Sequence, residues 1–397
     1  MRLQSMMHFR TRGIMAGLIV GLMSSTAAHA ADGEAFAQRL KTLLAPQGVT
    51  LNYTGVSESG SDVVLQGASI ASEGESLDLG DLTFENVDGT AEDGFTADRV
   101  GLRDVDRTES DSRLQVTGME VEGLRLAGTT AATDPALPSN IQIDRAGFDA
   151  ITMQHQGKDV LTVGTTELTS QQGSAGGISG TFDVSEFSFD TTVEPESEGA
   201  RTMAAIGYPQ IHGSMSGQAE WNPADGLLKL DPLKVVWDDA AELDFAYTIT
   251  GYTPAFIQQL SQLQQQMAAN PEGSDSTGMA MLGLISQLYL NNARLAITDN
   301  SLTNKLLDHY AQRNGQTRDQ LVQQLQAMLP SMLAYIQNPA FQTKVQEAVS
   351  AYLTNPENLS IVVAPQTPVP ATQVMGAAMG APQTLPEVLN LDITANQ

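Results

Sequence analysis

Leu77-Asp-Leu-Gly-Asp-Leu-Thr-Phe84 sets its apolar side chains at steps of two, three and two residues. The same spacing returns at Val63, Leu65, Ala68 and Ile70, at Phe95, Ala97, Val100, Leu102 and Val105, and at Leu114, Val116, Met119, Val121, Leu124 and Leu126. It recurs at Ile141, Ile143, Ala146, Phe148, Ile151 and Met153, and more weakly over 161–168 and 182–189. A strand turns alternate side chains to one face, so steps of two are strand steps and each step of three would swap faces. Glycine stands in or beside the longer step at Gly67, Gly80, Gly101, Gly118, Gly123 and Gly164, where a bulge or bend can return the apolar set to one side. The spacing predicts a curved antiparallel β-sheet, a meander of bulged strands with one apolar face. A β-solenoid repeats coils of constant length, whereas the polar spacers here, such as 88–94 and 106–113, are unequal.

Outward from this block, residues 217–250 continue the sheet, with Asp225-Gly226 as a hairpin turn and strict alternation through Leu243, Phe245, Tyr247 and Ile249. After Gly251 the period lengthens to about 3.6 residues, and Phe256, Ile257, Leu260, Leu263 and Met267 share a helical face. Residues 279–290 are apolar nearly all round and are expected to be buried. A strand at 293–299 and a helix at 302–313, ended by Gly315, come next. Thr317 and Gln320 form a capping-box pattern for a helix whose stripe is Leu321, Val322, Leu325, Met328, Leu329, Met332, Leu333 and Ile336, with Met328 and Met332 read as core. Asn338-Pro339 opens another helix, which Asn355-Pro356 stops. The stretches 359–364 and 389–394, joined by a Pro-, Ala- and Met-rich linker, are expected to return to the sheet. The expected organisation is thus a leader at 1–30, a β-rich repeat domain at 31–250, a helical region with one strand at 251–357, and returning strands at 358–397. The class is α+β, mainly β, with the helical C-terminal region packed on the sheet.

The leader reading rests on Arg2, Arg10 and Arg12, the uncharged run 14–23 and the small-x-small motif Ala28-His-Ala30. That order predicts a secretory signal cleaved after Ala30 and a periplasmic protein. The run is too short to cross roughly 30 Å of hydrocarbon, so no stable transmembrane anchor is expected. Removing residues 1–30 takes away three of 20 basic residues and none of 46 acidic ones, so 17 minus 46 leaves −29. A surface so acidic repels nucleic acid and anionic lipid headgroups, and nucleic acid is not an expected partner. The absence of cysteine excludes a disulfide framework, a thiol nucleophile and Cys-based zinc sites.

No motif for catalysis stands out. His155, His212 and His309 lack the close pairing of a zinc site, and Gly213-Ser-Met-Ser-Gly217 has its serines at the wrong offsets for a nucleophile elbow. The acidic groups Glu73, Glu75, Asp78 and Asp81, and Asp238, Asp239 and Glu242, lack the spacing of a Ca²⁺ loop and read as a solvated strand face. No cofactor, metal or catalytic residue is assigned.

The motifs Leu-x-Leu-Gly-x-Leu-x-Phe from Leu77 and Val-x-Gly-Met-x-Val-x-Gly-Leu-x-Leu from Val116 resemble the β-repeats of AsmA-like bacterial envelope proteins. The block from Ala293 to Phe341 looks like the C-terminal region of uncharacterised proteobacterial periplasmic proteins of related design. The likeness covers about half of the chain. Members of the AsmA-like group are usually larger and membrane-anchored, whereas this chain reads as released and short.

The functional expectation is an exported, non-enzymatic envelope protein that shelters a lipid or other hydrophobic ligand on the apolar sheet face. The candidate contact residues are Leu79, Leu82, Val116, Met119, Ile143 and Phe148. The alternative is a structural scaffold that binds another envelope protein, with a periplasmic hydrolase third.

Overall fold

The computed structural model describes residues 32–45, 48–72, 75–130, 140–173, 176–193, 197–269 and 274–397. The expected leader and its cleavage after Ala30 lie outside these residues. The fold is mainly β, a curved and open antiparallel sheet with helices packed towards its C-terminal part. It divides into two compact units, the first running to about residue 200 and the second from Arg201 to Gln397. The change of period at Gly251 is therefore internal to the second unit and does not mark a boundary between units.

In the first unit each long strand pairs with its predecessor, as a meander requires. Strand Asp62–Ser72 pairs with Glu75–Glu85, which pairs with Gly94–Gly101. The following strands run in interrupted pairs, such as Ser112–Thr117 and then Glu120–Ala127. Register continues across each interruption. Gly101 faces Glu120 and Val105 faces Val116, so three residues intervene on both sides. Gly147 faces Glu120 and Ala150 faces Thr117, with two on each side. The extra residue behind each step of three is thus taken at the same level in every strand. Of the expected bulge or bend, these levels take the bend: neighbouring strands crease together. A true register shift does occur between Leu65 and Ala68 in the first hairpin.

Glycine makes the crease. Gly118 and Gly123 hold φ of 66° and 65°, a left-handed conformation that costs other L-residues roughly 1–2 kcal/mol. Asp149 and Asp144 crowd them from the next strand: a Cβ on either glycine would lie 2.2 Å from a carboxylate oxygen. The Gly118 amide, out of the ladder, donates to Asp104 Oδ1 at 2.9 Å. The acids Asp81 and Asp78 serve the first hairpin alike, accepting from the Gly67 and Gly80 amides at 2.8 Å. They are crease ligands rather than merely solvated side chains.

A helix that the spacing analysis did not predict, Gly33–Leu44, packs on the apolar face. Asp32 caps it by accepting from the Ala35 amide at 3.0 Å. Phe36 is fully buried, edge-on to Phe84 and Phe95 at centroid distances of 4.8 and 5.6 Å. Arg39 ties the helix to the sheet by donating to the Ala127 and Gly128 carbonyls.

The second unit is again a meander: Gln210–Asn222, Leu227–Trp237, Ala241–Thr250, Tyr289–Asp299, Asn358–Val363 and Leu391–Ala395 pair in that order. The stretches 359–364 and 389–394 do return to the sheet, and the linker between them contains the helix Ala371–Gly380. Gly226 turns the first hairpin with φ of 65°. The capping box forms at both bonds: Thr317 Oγ1 accepts from the Gln320 amide, and Gln320 Oε1 accepts from the Thr317 amide. Two expectations fail. Met328 and Met332 on helix Arg318–Leu333 are exposed, because only Leu321 and Val322 are buried in that helix, packing with Leu307 and Ala311 of the neighbouring helix Leu302–Arg313. On helix Ser274–Ile285, Met279 and Leu282 are exposed while Leu284 is buried and Met281 packs beside it, so 279–290 is not buried all round.

Candidate functional site

The sheet of the first unit sorts its side chains by face. Residues directly opposite in a ladder share a face, as do residues two apart along a strand. Val100, Val121, Ala146, Leu168 and Phe182 form one transverse row. Beyond the Gly118 crease, Val105, Val116, Ile151, Val163 and Phe187 form the next. Leu114, Met153, Leu161 and Phe189 lie two residues further out. The reverse face of the same strands carries Asp106, Gln115, Thr152, Thr162 and Ser188 in register.

A crease of this kind keeps apolar residues on one side. Phe95, Ala97 and Val100 straddle the step opposite Gly123, and all three are buried in one cluster under the helix Gly33–Leu44. Gly118 likewise holds a left-handed φ against an aspartate of the next strand, and beyond it the outer rows again set their apolar side chains together on one face.

The helix covers only one end of it. Leu82 and Ile143 are 5% and 8% exposed within the cluster, and Leu79 packs against them. These three expected ligand residues are core, and the helix occupies the face they were to offer. Val116, Met119 and Phe148 lie outside every buried cluster and are half-buried. Leu168 and Phe189 are 37% and 44% exposed. The open part of the face is thus the Leu168–Phe182 margin and the two outer rows. The second unit repeats the plan. Helix Pro339–Thr354 buries Val345 and Ala348 against Leu359, Ile361, Ile393 and Ala395. In the same sheet row as Ile361 and Ile393, Leu295, Phe245 and Leu233 remain half-buried outside any cluster.

Between the crease levels the ion pairs lie on the reverse face. There Arg145 bridges Glu120 at 2.6 Å and Glu167 at 3.1 Å, Arg125 holds Asp144 at 2.7 Å, and Arg113 grips Asp106. The Arg113 hydrogen bonds hold the Asp106 carboxyl below the ordinary carboxylate range. Burial pushes the phenols of Tyr247 and Tyr352 up, which leaves them neutral. No group of three or more potential metal ligands gathers among the described residues. Among the described residues His155 pairs with Ser112, Oγ to Nδ1, at 3.3 Å.

Two hollows lie on the second unit. A cleft of about 760 Å³ runs between the start of helix Pro339–Thr354 and the loop 365–369, with Lys344 on its wall bonded to Asp392 at 2.5 Å. A pocket of about 340 Å³ lies between two helices, lined by Leu306, Leu307, Leu321 and Leu325. None of the expected contact residues reaches either.

The residue spacing announced the apolar rows but not the helix that covers one end of them. The missed signal is Phe36, Ala37, Leu40, Leu43 and Leu44 behind Asp32, a capped helical stripe.

A family model described as an uncharacterized protein matches residues 234–396, most of the second unit. No curated protein matches the chain.

Proposed function

We propose that this is an exported, non-enzymatic envelope protein that shelters a lipid or another apolar chain on the open part of its creased sheet. The reading is supported above all by the paired outer rows, Val105 to Phe187 and Leu114 to Phe189: one face apolar apart from its tip, the other polar, and no helix among the described residues sharing a buried cluster with the apolar side. From the Phe182 row to Phe189 is seven residue steps, about 23 Å at strand rise, longer than the roughly 15 Å of one leaflet's hydrocarbon. An exposed apolar surface of this extent marks a binding site more often than it marks ordinary surface. No helix among the described residues is long and apolar enough to cross a membrane.

The test is native purification with mass spectrometry of co-extracted lipid, compared with a variant carrying Val116→Asp and Phe187→Asp. These carboxylates stay hydrated if the row is open, so circular dichroism should be unchanged while lipid is lost. If the row is covered, two unpaired buried charges cost several kcal/mol and the unit unfolds. A wild type without lipid, or a folded variant with undiminished lipid, overturns the reading.

A scaffold role has one observation in its favour. Met328, Met332 and Tyr335 lie exposed along one helical line, and Tyr335 donates to the Ala378 carbonyl beside the exposed Met379. Flexible methionines of this kind suit an adaptable partner surface.

A further inference from the structure

The outer end of the apolar face differs in charge from the rest of the molecule. Arg107 stands directly opposite Leu114, so it projects from the apolar face at the edge of the outermost row. One step further out, Ser112 faces His155, and His155 faces Lys158 across the adjoining hairpin. The tip of the apolar face thus carries Arg107, His155 and Lys158, in a protein of net charge −26.

Arg107 and Lys158 are not used up as the reverse-face arginines are. Arg113, Arg125 and Arg145 each hold a carboxylate at 2.7 Å or closer. Arg107 has Glu109 only at 3.9 Å, with both side chains more than half exposed. Lys158 forms no ion pair among the described residues and is exposed. Asp159 belongs to the other face, where it accepts from Gln154 Nε2 at 2.7 Å. Glu109 shares the rim and Asp111 stands in the turn beside it, while the loose pairing with Glu109 leaves the guanidinium forks of Arg107 free to meet a second acceptor.

We infer that this rim binds a phosphate group, and that the sheltered molecule is an amphiphile whose phosphate sits at Arg107, His155 and Lys158 while its chain runs inward over Leu114, Val116 and Ile151. The inference rests on the sheltering function proposed above and adds the class and the direction of the ligand. Guanidinium and ammonium donors give charge-assisted hydrogen bonds to phosphate oxygens, and the adjoining rows take the chain.

The experiment compares uptake, by purified protein, of phosphatidylglycerol and of phosphate-free diacylglycerol from vesicles, with inorganic phosphate as a separate probe. Wild type should favour the phosphate-bearing lipid by about tenfold, the worth of one such bond. The double variant Arg107→Gln, Lys158→Gln should lose that preference yet still take up diacylglycerol. Arg113→Gln, which removes a charge at the same tip but on the reverse face, should keep it. Inorganic phosphate in excess should erase the preference without displacing diacylglycerol, whereas phosphate that binds wild type and double variant equally overturns the rim. Equal uptake of both lipids by wild type also overturns the rim and leaves the sheltering function standing. Uptake of neither lipid removes both.

Discussion

Replacing Gly118 by alanine puts the crease under test at its tightest point. Alanine at φ of 66° costs roughly 1–2 kcal/mol for the left-handed backbone alone. Its Cβ would lie 2.2 Å from Asp149 Oδ2 and 2.8 Å from Asp149 Cβ, so the opposite strand must give as well, an overpacking cost of about 1–3 kcal/mol. The expected loss is about 2–4 kcal/mol. Asp149→Ala removes the carboxylate but leaves its Cβ, so in that background the penalty should shrink by about 1 kcal/mol, a coupling typical of residues in contact. Gly283 is the control. It lies in the helix Ser274–Ile285 with open space around its Cβ position, so Gly283→Ala should stabilise by up to about 1 kcal/mol. Urea unfolding followed by far-ultraviolet circular dichroism is the assay, because both tryptophans, Trp221 and Trp237, lie in the second unit and do not report on the first. A Gly118→Ala variant as stable as wild type, or one whose loss ignores Asp149, refutes the crease as described.

Two further outcomes follow from the packing and the ion pairs. Leu321→Ala, at a buried helix contact, should cost about 2–5 kcal/mol, while Met332→Asp on the exposed line should stay within about 0.5 kcal/mol, as urea midpoints would show; equal effects would mean the helix is rotated. Because the Asp106 carboxyl is held below its ordinary range, its pairing with Arg113 contributes fully above the unfolded carboxylate pKa and is lost as pH falls through the depressed value. Carbon-detected NMR titration should place Asp106 among the most acidic of the aspartates, and Arg113→Gln should return it towards the ordinary range; no movement in the variant would assign the shift to another cause.

The meander and its single apolar face were legible because spacing of two and three residues is a direct print of strand pleat and crease. Caps such as Thr317 with Gln320 and Asn338 with Phe341 were legible for the same reason, since each is a local hydrogen bond between near neighbours. Which part of the face would be covered was not. That depends on Phe36 reaching Phe84 and Phe95 from some fifty residues away, a contact that no local period encodes. Met328 and Met332 misled by the same logic in reverse: helical phase set them on an apolar stripe, but the neighbouring helices end their contact at Leu325 and Leu333. The glycines at 118 and 123 and the aspartates at 144 and 149 each recur at five residues, a pairing visible in the sequence only once the strands are known to be neighbours.

Because the Gly118 crease crosses the strands from Gly94 to Asp190 at one level, evolution cannot lengthen or shorten one of those strands alone. A single inserted residue would set its whole outer half against the wrong neighbours and turn its apolar side chains outward. Descendants of such a chain can vary freely at the hairpin tips, but a change in the length of the apolar face must come as matched five-residue steps in all of those strands at once. Relatives are therefore expected to differ in the length of their turns while preserving the count of residues between creases, a rule that alignments can check strand by strand.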